Sequence, residues 1–439
     1  MNSGIDELKN HKIGILGFGQ EGQAVLAYLK KHGLDATVYD QKDGEGYLDS
    51  ISDCSLLFRS PGIWRHHPKI LEAEQKGSTI TSQTKWFFGN SKSTIIGVTG
   101  TKGKGTTSSL IFEVLKAAGK VDGKNLFLTG NIGKIQPLEF LDETNEGSIV
   151  VYELSSFQLQ DLTQSPHIGI CLMTTSDHLN HHKDLEEYHS AKTAITAFQS
   201  SNDVSISNID YEATAKIGTL GKGEKLTISS KTKPQRGAYI DGEKVILTGE
   251  VEAEINCKDR KLRGVHNLEN IAAASLAGLC LNVDIDTITK AVNEFTGLEH
   301  RLQLVGNIDG TSYYNDSIST VPETTIAAVN SFNEPIHLIL GGSDKGLDYS
   351  ELVEYLNAKN NIASINLIGE VALKLIELFE STGSALEVFG PYENLSKLIS
   401  DIKARSEPGE VVLLSPASAS FDMFKNYADR GNQFVDLVK

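Results

Sequence analysis

One glycine-rich stretch combines the residue types that bind phosphate. It follows the apolar, β-branched run 94–98 and places Lys104 between glycines. Glycine turns point successive backbone N–H groups at one anion, a lysine reaches the β- and γ-phosphates, and a helix beginning near Thr106 would add its positive end. The sequence therefore predicts a nucleotide-phosphate loop, with a ligand-free turn as the alternative. The predicted loop residues are Gly100, Thr101, Lys102, Gly103, Lys104, Gly105, Thr106 and Thr107.

One position departs from the usual phosphate-loop pattern. Gly105 stands where a serine or threonine directly after the lysine would hold Mg²⁺. Either Thr106 takes over this role or the metal is held elsewhere. Glu153 ends the apolar strand 148–153 and could bind Mg²⁺ directly or through water. A solvated acid at the end of a strand is the alternative interpretation of Glu153.

A second glycine pattern lies near the N-terminus. Residues 17–22 read G-x-G-x-x-G between a short strand and a helix, and Asp40 follows about twenty residues later. The loop 60–63, after the strand 56–58, should lie at the same sheet edge. The pattern fits any ligand with a diphosphate, so an oxidoreductase and a ligand-free turn both stay open.

Two other groups of polar residues could do chemistry. Asp177 and His178 precede His181 and His182, but HExxH and finger-type cysteine spacing are absent from the sequence, so a zinc hydrolase is a minor alternative. Lys192 lies in a helical pattern, where a surface lysine is the ordinary interpretation.

Composition limits the class of protein. The 439 residues carry 41 Lys and Arg against 57 Asp and Glu, a formal net charge of -16, without a basic tract. Nucleic acid is therefore not expected as a main partner. The four cysteines are scattered, which favours a reducing compartment. No run approaches the roughly 18 apolar residues of a membrane helix, and the first residues lack signal-peptide features. We expect a cytoplasmic enzyme without membrane insertion.

Strands, glycine loops and helices alternate along the chain, which predicts an α/β fold with mostly parallel sheets. We expect three domains: a Rossmann-like domain over 1–91, a central P-loop domain over 92–297, and a second Rossmann-like domain over 298–439. Short alternating strands around 222–263 predict a small antiparallel insertion in the central domain, with a hairpin at Asp241 and Gly242.

Nine motifs in order along essentially the whole chain resemble those of the Mur ligase family, the ATP-dependent peptide-bond-forming enzymes of peptidoglycan precursor synthesis. They lie at 100–104, 130–133, 153–159, 177–179, 192, 266–270, 300–301, 315–317 and 341–346. The ending 414–434 is similar to that of the glutamate-adding branch, and the short N-terminal domain fits it.

The resemblance implies three ligands: ATP, glutamate and UDP-N-acetylmuramoyl-L-alanine. The UDP part would bind Gly17, Phe18, Gly19, Asp40, Gln41, Ser60, Pro61 and Gly62, and the muramoyl-alanine part Asn131, Ser155, Ser156 and Gln158. Adenine, ribose and γ-phosphate would meet Asn267, Asn270, Arg301 and Asp316. The incoming glutamate would meet Thr320, Lys345, Ser415 and Phe421.

The resemblance also implies the catalytic centre. Lys104, Glu153, His178 and Lys192 would be the catalytic residues. Two Mg²⁺ ions would be held by Glu153, His178 and a carbamylated Lys192, and we expect Thr106 to supply the hydroxyl ligand that Gly105 lacks. We expect a monomer.

The third domain departs from the family pattern. Ligases for D-glutamate usually read Asp-Ser-Lys-Ala/Gly-Thr-Asn, but Ile318 and Val321 replace the lysine and the asparagine here. Losing a cation could alter how a dicarboxylate is held. D-glutamate is the preferred substrate because that activity is commoner, and L-glutamate is the alternative. A folylpolyglutamate-type ligase and a non-catalytic nucleotide-binding regulatory protein are the further alternatives.

Overall fold

The computed structural model describes residues 3–119, 125–133, 135–174 and 184–439. The chain divides into two compact units. The first contains 1–258 and 268–292, and the second contains 259–267 and 293–439. Across the described ranges, none of the helices is long and apolar enough to cross a membrane.

The first unit begins with a parallel sheet of four strands in the described residues, in the order β2-β1-β3-β4. Its elements are α1 (Ser3–Leu8), β1 (Ile13–Leu16), α2 (Gln20–Lys31), β2 (Ala36–Tyr39), β3 (Leu56–Arg59), α3 (Pro68–Gln75), β4 (Thr79–Thr81) and α4 (Gln83–Asn90). Leu56 and Phe58 of β3 join one hydrophobic cluster, and Leu57 joins another. Burial on both faces is typical of parallel sheets covered by helices.

The second sheet of this unit contains nine strands in the described residues, in the order β13-β12-β11-β10-β9-β8-β5-β7-β6. Its elements are β5 (Thr94–Thr99), α5 (Lys104–Ala117), β6 (Leu126–Gly130), α6 (Pro137–Phe140), β7 (Ile149–Glu153), α7 (Ser156–Leu159), β8 (Ile168–Cys171), α8 (Leu185–Lys192), β9 (Val204–Asn208), α9 (Glu212–Gly218), β10 (Glu224–Ser229), β11 (Gly237–Asp241), β12 (Lys244–Thr248), β13 (Ala253–Asn256), α10 (Asn267–Cys280) and α11 (Ile285–Glu294). Short 3₁₀ helices lie at Gln41–Asp43, Ile51–Asp53, Leu141–Glu143 and Thr193–Ile195.

The antiparallel part of this sheet lies at one edge. β11 pairs with β12, and β12 with β13, in antiparallel register. The pairing of Asp241 with Lys244 closes the predicted hairpin, and Gly242 has the positive φ of 58° that such a turn favours. β10 is parallel to both of its neighbours, so the antiparallel part begins at β11, later than the sequence suggested.

The second unit has a sheet of six strands in the described residues, in the order β14-β15-β19-β16-β17-β18. Its elements are β14 (Gln303–Ile308), β15 (Thr311–Asn315), α12 (Pro322–Val329), β16 (Ile336–Gly341), α13 (Ser350–Asn357), β17 (Ile362–Ile368), α14 (Ala372–Ser381), β18 (Val388–Tyr392), α15 (Leu395–Lys403), β19 (Val411–Leu414) and α16 (Tyr427–Val438). β14 and β15 form an antiparallel hairpin, and the other neighbouring strands pair in parallel. Helices α12 to α14 contribute to one hydrophobic cluster, and α15 and α16 contribute to another.

The predicted α/β fold with mostly parallel sheets is confirmed. One sheet of the described residues lies within each of the three predicted domain ranges. Because the first two sheets belong to one compact unit, the domain ranges stay a prediction.

A buried ion-pair cluster joins the first two sheets within the first unit. Arg59 is the last residue of β3 and donates from Nε and Nη2 to Asp161 at 2.9 and 2.5 Å. Arg65 donates from Nε to the other oxygen of Asp161 at 2.8 Å. The side chains of Arg59 and Asp161 are only 2% and 6% exposed. Two guanidinium groups therefore depend on one buried carboxylate.

Replacing that carboxylate should destabilise the first unit. In Asp161→Ala, Arg59 keeps the carbonyl oxygens of Ile63 and Phe157 but loses its counter-ion. We expect a loss of roughly 3–5 kcal/mol in the free energy of unfolding, the usual cost of leaving a buried charge unpaired. Urea unfolding followed by tryptophan fluorescence measures it, since Trp64 and Trp86 both lie in this unit.

The matched control is Asp6→Ala, which removes the exposed carboxylate that pairs with Lys9 at 2.8 Å. A surface pair of this kind contributes about 0–1 kcal/mol. Equal losses in the two variants would contradict the assignment of a structural role to Asp161.

Candidate active site

The phosphate loop follows β5 directly, and α5 begins at Lys104, two residues earlier than expected. Gly103 caps the helix with a φ of 86°. Lys104 folds back over the loop, where its Nζ donates to the carbonyl oxygens of Gly100 at 3.0 Å and Thr101 at 3.2 Å. Thr106 and Thr107 lie in the first turn of α5, and both are buried. The loop backbone and the helix start thus have the conformation that a phosphate site requires.

Helix α8 packs against the same loop. The hydroxyl of Tyr188 lies 2.9 Å from Oγ1 of Thr101. One helical turn later, Nζ of Lys192 donates to the carbonyl oxygen of Gly100 at 3.3 Å and lies 4.5 Å from the centre of the Tyr188 ring. Lys192 is only 1% exposed, so the ordinary interpretation of this residue as a surface lysine is wrong. The ammonium groups of Lys104 and Lys192 meet at one carbonyl oxygen.

Helix α10 supports the loop from another direction. Oγ1 of Thr107 donates to Oδ1 of Asn270 at 3.1 Å. A Cβ atom at Gly103 would collide with the same Oδ1, so this contact is possible only with glycine there. Asn267 lies three residues before Asn270 but belongs to the second unit, where its amide donates to the carbonyl oxygen of Arg263.

Oxygen donors for a metal lie at the foot of the loop. Glu153 ends β7 and pairs in register with Val98 of β5, immediately before the loop. Its side chain is 6% exposed, as is that of Thr106. A carboxylate and a hydroxyl are suitable Mg²⁺ ligands. His178 lies outside the described residues, and the described ranges contain no group of three His, Cys, Asp or Glu side chains that could hold a metal alone.

A cavity of about 590 Å³ lies at the glycine loop of the first sheet. Of the residues predicted for the UDP-linked substrate, it is lined by Gly17, Phe18, Gly19, Asp40, Gln41, Ser60, Pro61, Gly62 and Asn131. It is also lined by Gln20, Glu21 and Ile63, which lie within the predicted ranges 17–22 and 60–63, and by Lys42, which the sequence did not single out. The structure thus brings residues from four separate loops to one concave surface, and their binding role stays a prediction.

Backbone hydrogen bonds fix the carboxylate of Asp40 at this cavity. It accepts from the backbone N–H groups of Lys42 at 3.1 Å and Phe18 at 2.6 Å. These two bonds lower the pKa of Asp40 below its ordinary value. The hydroxyl of Ser60 donates to the carbonyl oxygen of Gly17 at 3.0 Å, which ties the loop after β3 to the glycine loop.

The three other residues predicted for the substrate lie at α7 and are not part of the cavity lining. Ser155 caps α7, and its N–H and hydroxyl both donate to Oε1 of Gln158, at 2.9 and 3.1 Å. Nε2 of Gln158 donates in turn to Oε1 of Glu21 at 2.8 Å. Ser156 is buried beside them. Glu21 belongs to the glycine pattern 17–22, but the sequence did not predict its contact with Gln158.

In the second unit, Asp316 directly follows β15 and is 3% exposed. Its carboxyl accepts from the hydroxyls of Ser319 at 2.6 Å and Ser415 at 2.8 Å, and from the N–H of Leu302 at 3.1 Å. Burial outweighs these bonds and the charge of Arg301, and it raises the pKa of Asp316 to about 6. The structure thus joins Asp316, predicted for the nucleotide, to Ser415, predicted for glutamate.

The other glutamate-site candidates form a second group. Nζ of Lys345 lies 5.2 Å from the centre of the exposed Phe421 ring. Thr320 is half-buried, and Ser415 is fully buried. The structure brings Lys345 and Phe421 together, whereas the hydroxyl of Ser415 contacts Asp316 and Thr325.

A buried arginine that was not among the predicted site residues connects these loops. Arg430 donates from Nε to Oγ of Ser317 at 2.9 Å, and from Nη2 to the carbonyl oxygens of Ser317 and Ser418 at 2.9 and 3.0 Å. Burial lowers the pKa of Arg430 to about 10. In the sequence, Arg430 lies in the ending 414–434 that is similar to the family, but this position did not predict the contacts of its side chain.

Gly103→Ala should damage the nucleotide site more than the fold. The new Cβ would collide with Asn270 and would hold a strained positive φ at the first turn of α5. We expect ATP affinity to fall by at least about tenfold, as the loop must shift to relieve the collision. Calorimetric titration with ATP measures this effect.

Gly119→Ala is the matched control, because Gly119 also has a positive φ, 59°, but nothing lies within 4 Å of a Cβ there. It should lose stability of about 1 kcal/mol and keep its ATP affinity. A similar loss of affinity in both variants would show that backbone strain alone, without the Asn270 contact, explains the effect.

Comparison with known proteins agrees with this arrangement. Residues 98–278 match the Mur ligase middle domain, and residues 300–418 match the Mur ligase glutamate ligase domain. Relatives named UDP-N-acetylmuramoylalanine--D-glutamate ligase include one from Acetivibrio thermocellus, 37% identical over 100% of this chain and 98% of its own length. Another from Clostridium tetani is 33% identical over the full length of both chains.

Solved structures show the same fold at low identity. UDP-N-acetylmuramate-alanine ligase MurC from Thermotoga maritima aligns with a TM-score of 0.59 at 19% identity, covering 97% of this chain and 98% of that one. MurF ligase from Thermotoga maritima, solved in complex with ADP, aligns with a TM-score of 0.54 at 16% identity, covering 97% and 93%. With both family domains matched and relatives above 30% identity along its whole length, the chain belongs to the Mur ligase family.

Proposed function

We propose that this protein is the ligase that adds D-glutamate to UDP-N-acetylmuramoyl-L-alanine, at the cost of one ATP, during peptidoglycan precursor synthesis. As a Mur ligase, it is an ATP-dependent, peptide-bond-forming enzyme. The full-length relatives named for this activity support the choice of substrates. The geometric observation that carries the proposal is the meeting of Lys104 and Lys192 at the carbonyl oxygen of Gly100.

Two ammonium groups at one carbonyl oxygen repel each other, and the repulsion is strong because Lys192 is buried. Anions relieve it. The phosphates of ATP are one such anion, and they would approach Lys104 from the loop side. A carbamate on Lys192 is another, because addition of CO₂ to the neutral amine releases a proton and turns the cation into an anion. The arrangement therefore favours a carbamylated Lys192 in the ATP complex.

The residues around the loop fit Mg²⁺. Thr106 and Glu153 would hold it with oxygen atoms, together with the carbamate of Lys192, and we extend this to two ions with His178 as a further ligand. Bound Mg²⁺ offsets the negative charge on the phosphates. Lys104 acts on the same charge, since its ammonium can move from the loop carbonyls to the phosphoryl oxygens of the nucleotide. Asn267, Asn270, Arg301 and Asp316 are proposed for the rest of the nucleotide.

The reaction has two steps. An oxygen of the alanyl carboxylate attacks the γ-phosphorus of ATP, so that ADP leaves and an acyl phosphate forms. The neutral amine of glutamate then attacks the acyl carbon, and inorganic phosphate leaves as the amide forms. Backbone N–H groups of the phosphate loop and Lys104 stabilise the first transition state. Ser155, Ser156, Gln158 and Asn131 are proposed to hold the muramoyl-alanine part.

The glutamate site is proposed at Lys345, Phe421, Thr320 and Ser415. Lys345 lies over an exposed aromatic ring, so its ammonium can turn to a carboxylate of the incoming amino acid. Ile318 is half-buried and Val321 is exposed, where a lysine and an asparagine are usual. Lys345 therefore carries more of the recognition of the dicarboxylate here, and this difference is the reason to test both enantiomers.

We propose a cytoplasmic, monomeric enzyme. In the described residues none of the four cysteines forms a disulfide bond, and Cys54, Cys171 and Cys257 are buried, which is consistent with a reducing compartment.

The substrate assignment predicts a specific pattern of phosphate release. The purified protein with ATP, Mg²⁺ and UDP-N-acetylmuramoyl-L-alanine should release phosphate when D-glutamate is added and stay near background with L-glutamate. Mass spectrometry should detect the product carrying one added glutamate. Release with L-glutamate alone would assign the other enantiomer, and release with neither would favour a non-catalytic nucleotide-binding protein.

Lys192→Ala should lower kcat by at least about 100-fold at pH 7, because the site loses a carbamate and its charge. Lys216→Ala is the matched control, since Lys216 lies on the neighbouring α9 with its side chain 76% exposed. Near-normal turnover of Lys192→Ala would contradict the carbamate role. Nuclear magnetic resonance with ¹³C-labelled CO₂ should detect the carbamate in the wild-type protein and not in the variant.

A further inference from the structure

Two carboxyl groups line the cavity proposed for the diphosphate. Asp40 and Glu21 contribute to its wall, and Lys42 is a nearby cation. A diphosphate esterified at both ends carries two negative charges, so each ionised carboxylate here opposes its binding. Neutralising one of these acids would remove part of this opposition when such a ligand enters.

Asp40 is held in its ionised form. Two backbone N–H groups, of Phe18 and Lys42, donate to its carboxylate and lower its pKa. A proton on Asp40 would weaken both bonds, and they also define the turn that shapes the cavity. Asp40 is therefore not the group that changes its charge.

Glu21 has the opposite environment. Its Oε2 is buried and makes no hydrogen bond to the part of the chain that the structure describes, while Oε1 accepts from Gln158. An ionised carboxylate with one unsolvated, unpaired oxygen is costly, whereas a neutral carboxyl group leaves a much smaller penalty. Burial raises the pKa of Glu21 more than the bond from Gln158 and the charge of Arg59 lower it. The start of α2 favours the anion too, yet burial prevails.

Among the described residues, the titratable groups that interact with Glu21 from neighbouring elements are Arg59 and Tyr152. Arg59 of β3 forms an ion pair with Asp161 at 2.5 Å. Because this carboxylate compensates most of the positive charge of Arg59, Arg59 stabilises an ionised Glu21 only weakly. The hydroxyl of Tyr152 on β7 forms a hydrogen bond of 2.9 Å with Oγ1 of Thr84. Burial, and to a smaller extent the charge of Glu21, raise the pKa of Tyr152 well above its ordinary value. From α7, Gln158 contributes only a neutral amide.

The contact with Gln158 survives a change of charge on Glu21. Gln158 donates to Oε1, and a neutral carboxyl group keeps a carbonyl oxygen that accepts this bond. The amide of Gln158 is held from its other end by Ser155. Protonation can therefore remove the charge beside the diphosphate without releasing α7.

We propose that Glu21 is a further substrate-positioning residue, which takes up a proton from solvent when the UDP part of the substrate enters the cavity and then holds Gln158 as a neutral acid. The proposal rests on the proposed function for the identity of the ligand. Glu21 is thus at least partly ionised when the cavity is free, and it is neutral when the diphosphate is bound.

The linkage has a definite sign. If binding takes up a proton, substrate affinity is highest at low pH and falls as the pH rises through the pKa of Glu21 in the complex, by up to about tenfold per pH unit for one proton. Glu21→Gln mimics the neutral acid and keeps the acceptor for Gln158. Its affinity should be flat over that range and about three- to tenfold tighter than wild type near pH 8, because one like charge has left the cavity.

The experiment is calorimetric titration of the full-length protein with UDP-N-acetylmuramoyl-L-alanine, whose diphosphate has no group that titrates near neutrality. Titrations at about pH 6.5 in buffers of different ionisation enthalpy give the number of protons taken up. Wild type and the control Glu45→Gln, which removes an exposed acid, should take up the same fraction of a proton, and Glu21→Gln should take up none. Melting curves check that each variant is folded.

Equal proton uptake by wild type and Glu21→Gln overturns the proposal, as does an absence of uptake in wild type. Weaker binding by Glu21→Gln at every pH also overturns it, because substrate binding would then require the ionised form of Glu21. If wild type does not bind this substrate at all, the proposed function fails instead, so the two failures are distinguishable.

Discussion

Two lysine ammonium groups that share the carbonyl oxygen of Gly100 are the constraint around which the nucleotide site is built. Lys104 reaches this oxygen from the start of α5, and Lys192 reaches it from the end of α8. Like charges in a poorly hydrated site are stable only when anions or strong dipoles lie between them. Two neighbouring ammonium groups make this a favourable place for an anion such as a nucleotide phosphate. The bond between Tyr188 and Thr101 and the bond between Thr107 and Asn270 help to hold the loop in this conformation.

The short helix α7 connects this centre to the cavity of the first sheet. It has only four residues, so its own hydrogen bonds cannot stabilise it. Its start is fixed by the reciprocal bonds of Ser155 and Gln158, and Gln158 reaches on to Glu21. Beyond its end, Asp161 binds Arg59 of β3. Because β7 places Glu153 immediately before this segment, the metal-binding candidate and the glycine loop of the first sheet are held by one continuous set of contacts.

Local patterns in the sequence were enough to predict the glycine loops, the strands before them and the hairpin at Asp241. Each depends on residues close together in the chain, where turn geometry and periodicity act directly. The burial of Lys192, the contact between Glu21 and Gln158, and the position of Asn270 behind Gly103 were not predictable in this way. They join residues about 90 to 160 positions apart, and only the tertiary arrangement of the sheets and helices brings them together. The resemblance to a family named Lys192 and Asn270, and the glycine pattern 17–22 included Glu21, but neither gave the contacts of these residues.

Near the end of β15 in the second unit, two buried ionisable groups have neutral hydrogen-bonding partners. Asp316 is a buried acid satisfied by two serine hydroxyls and one N–H group, and Arg430 is a buried base whose described partners are carbonyl oxygens and the hydroxyl of Ser317. Ser317 directly follows Asp316, so both groups fix the same turn after β15. A turn held from two sides by buried polar bonds has little freedom to adjust, and catalytic groups gain most from such preorganisation because no reorganisation is then needed during the reaction. Discrimination between enantiomers of an amino acid depends on fixed positions for three of its substituents. In the proposed glutamate site, the rigidity that Arg430 gives these loops would therefore contribute to the choice between enantiomers.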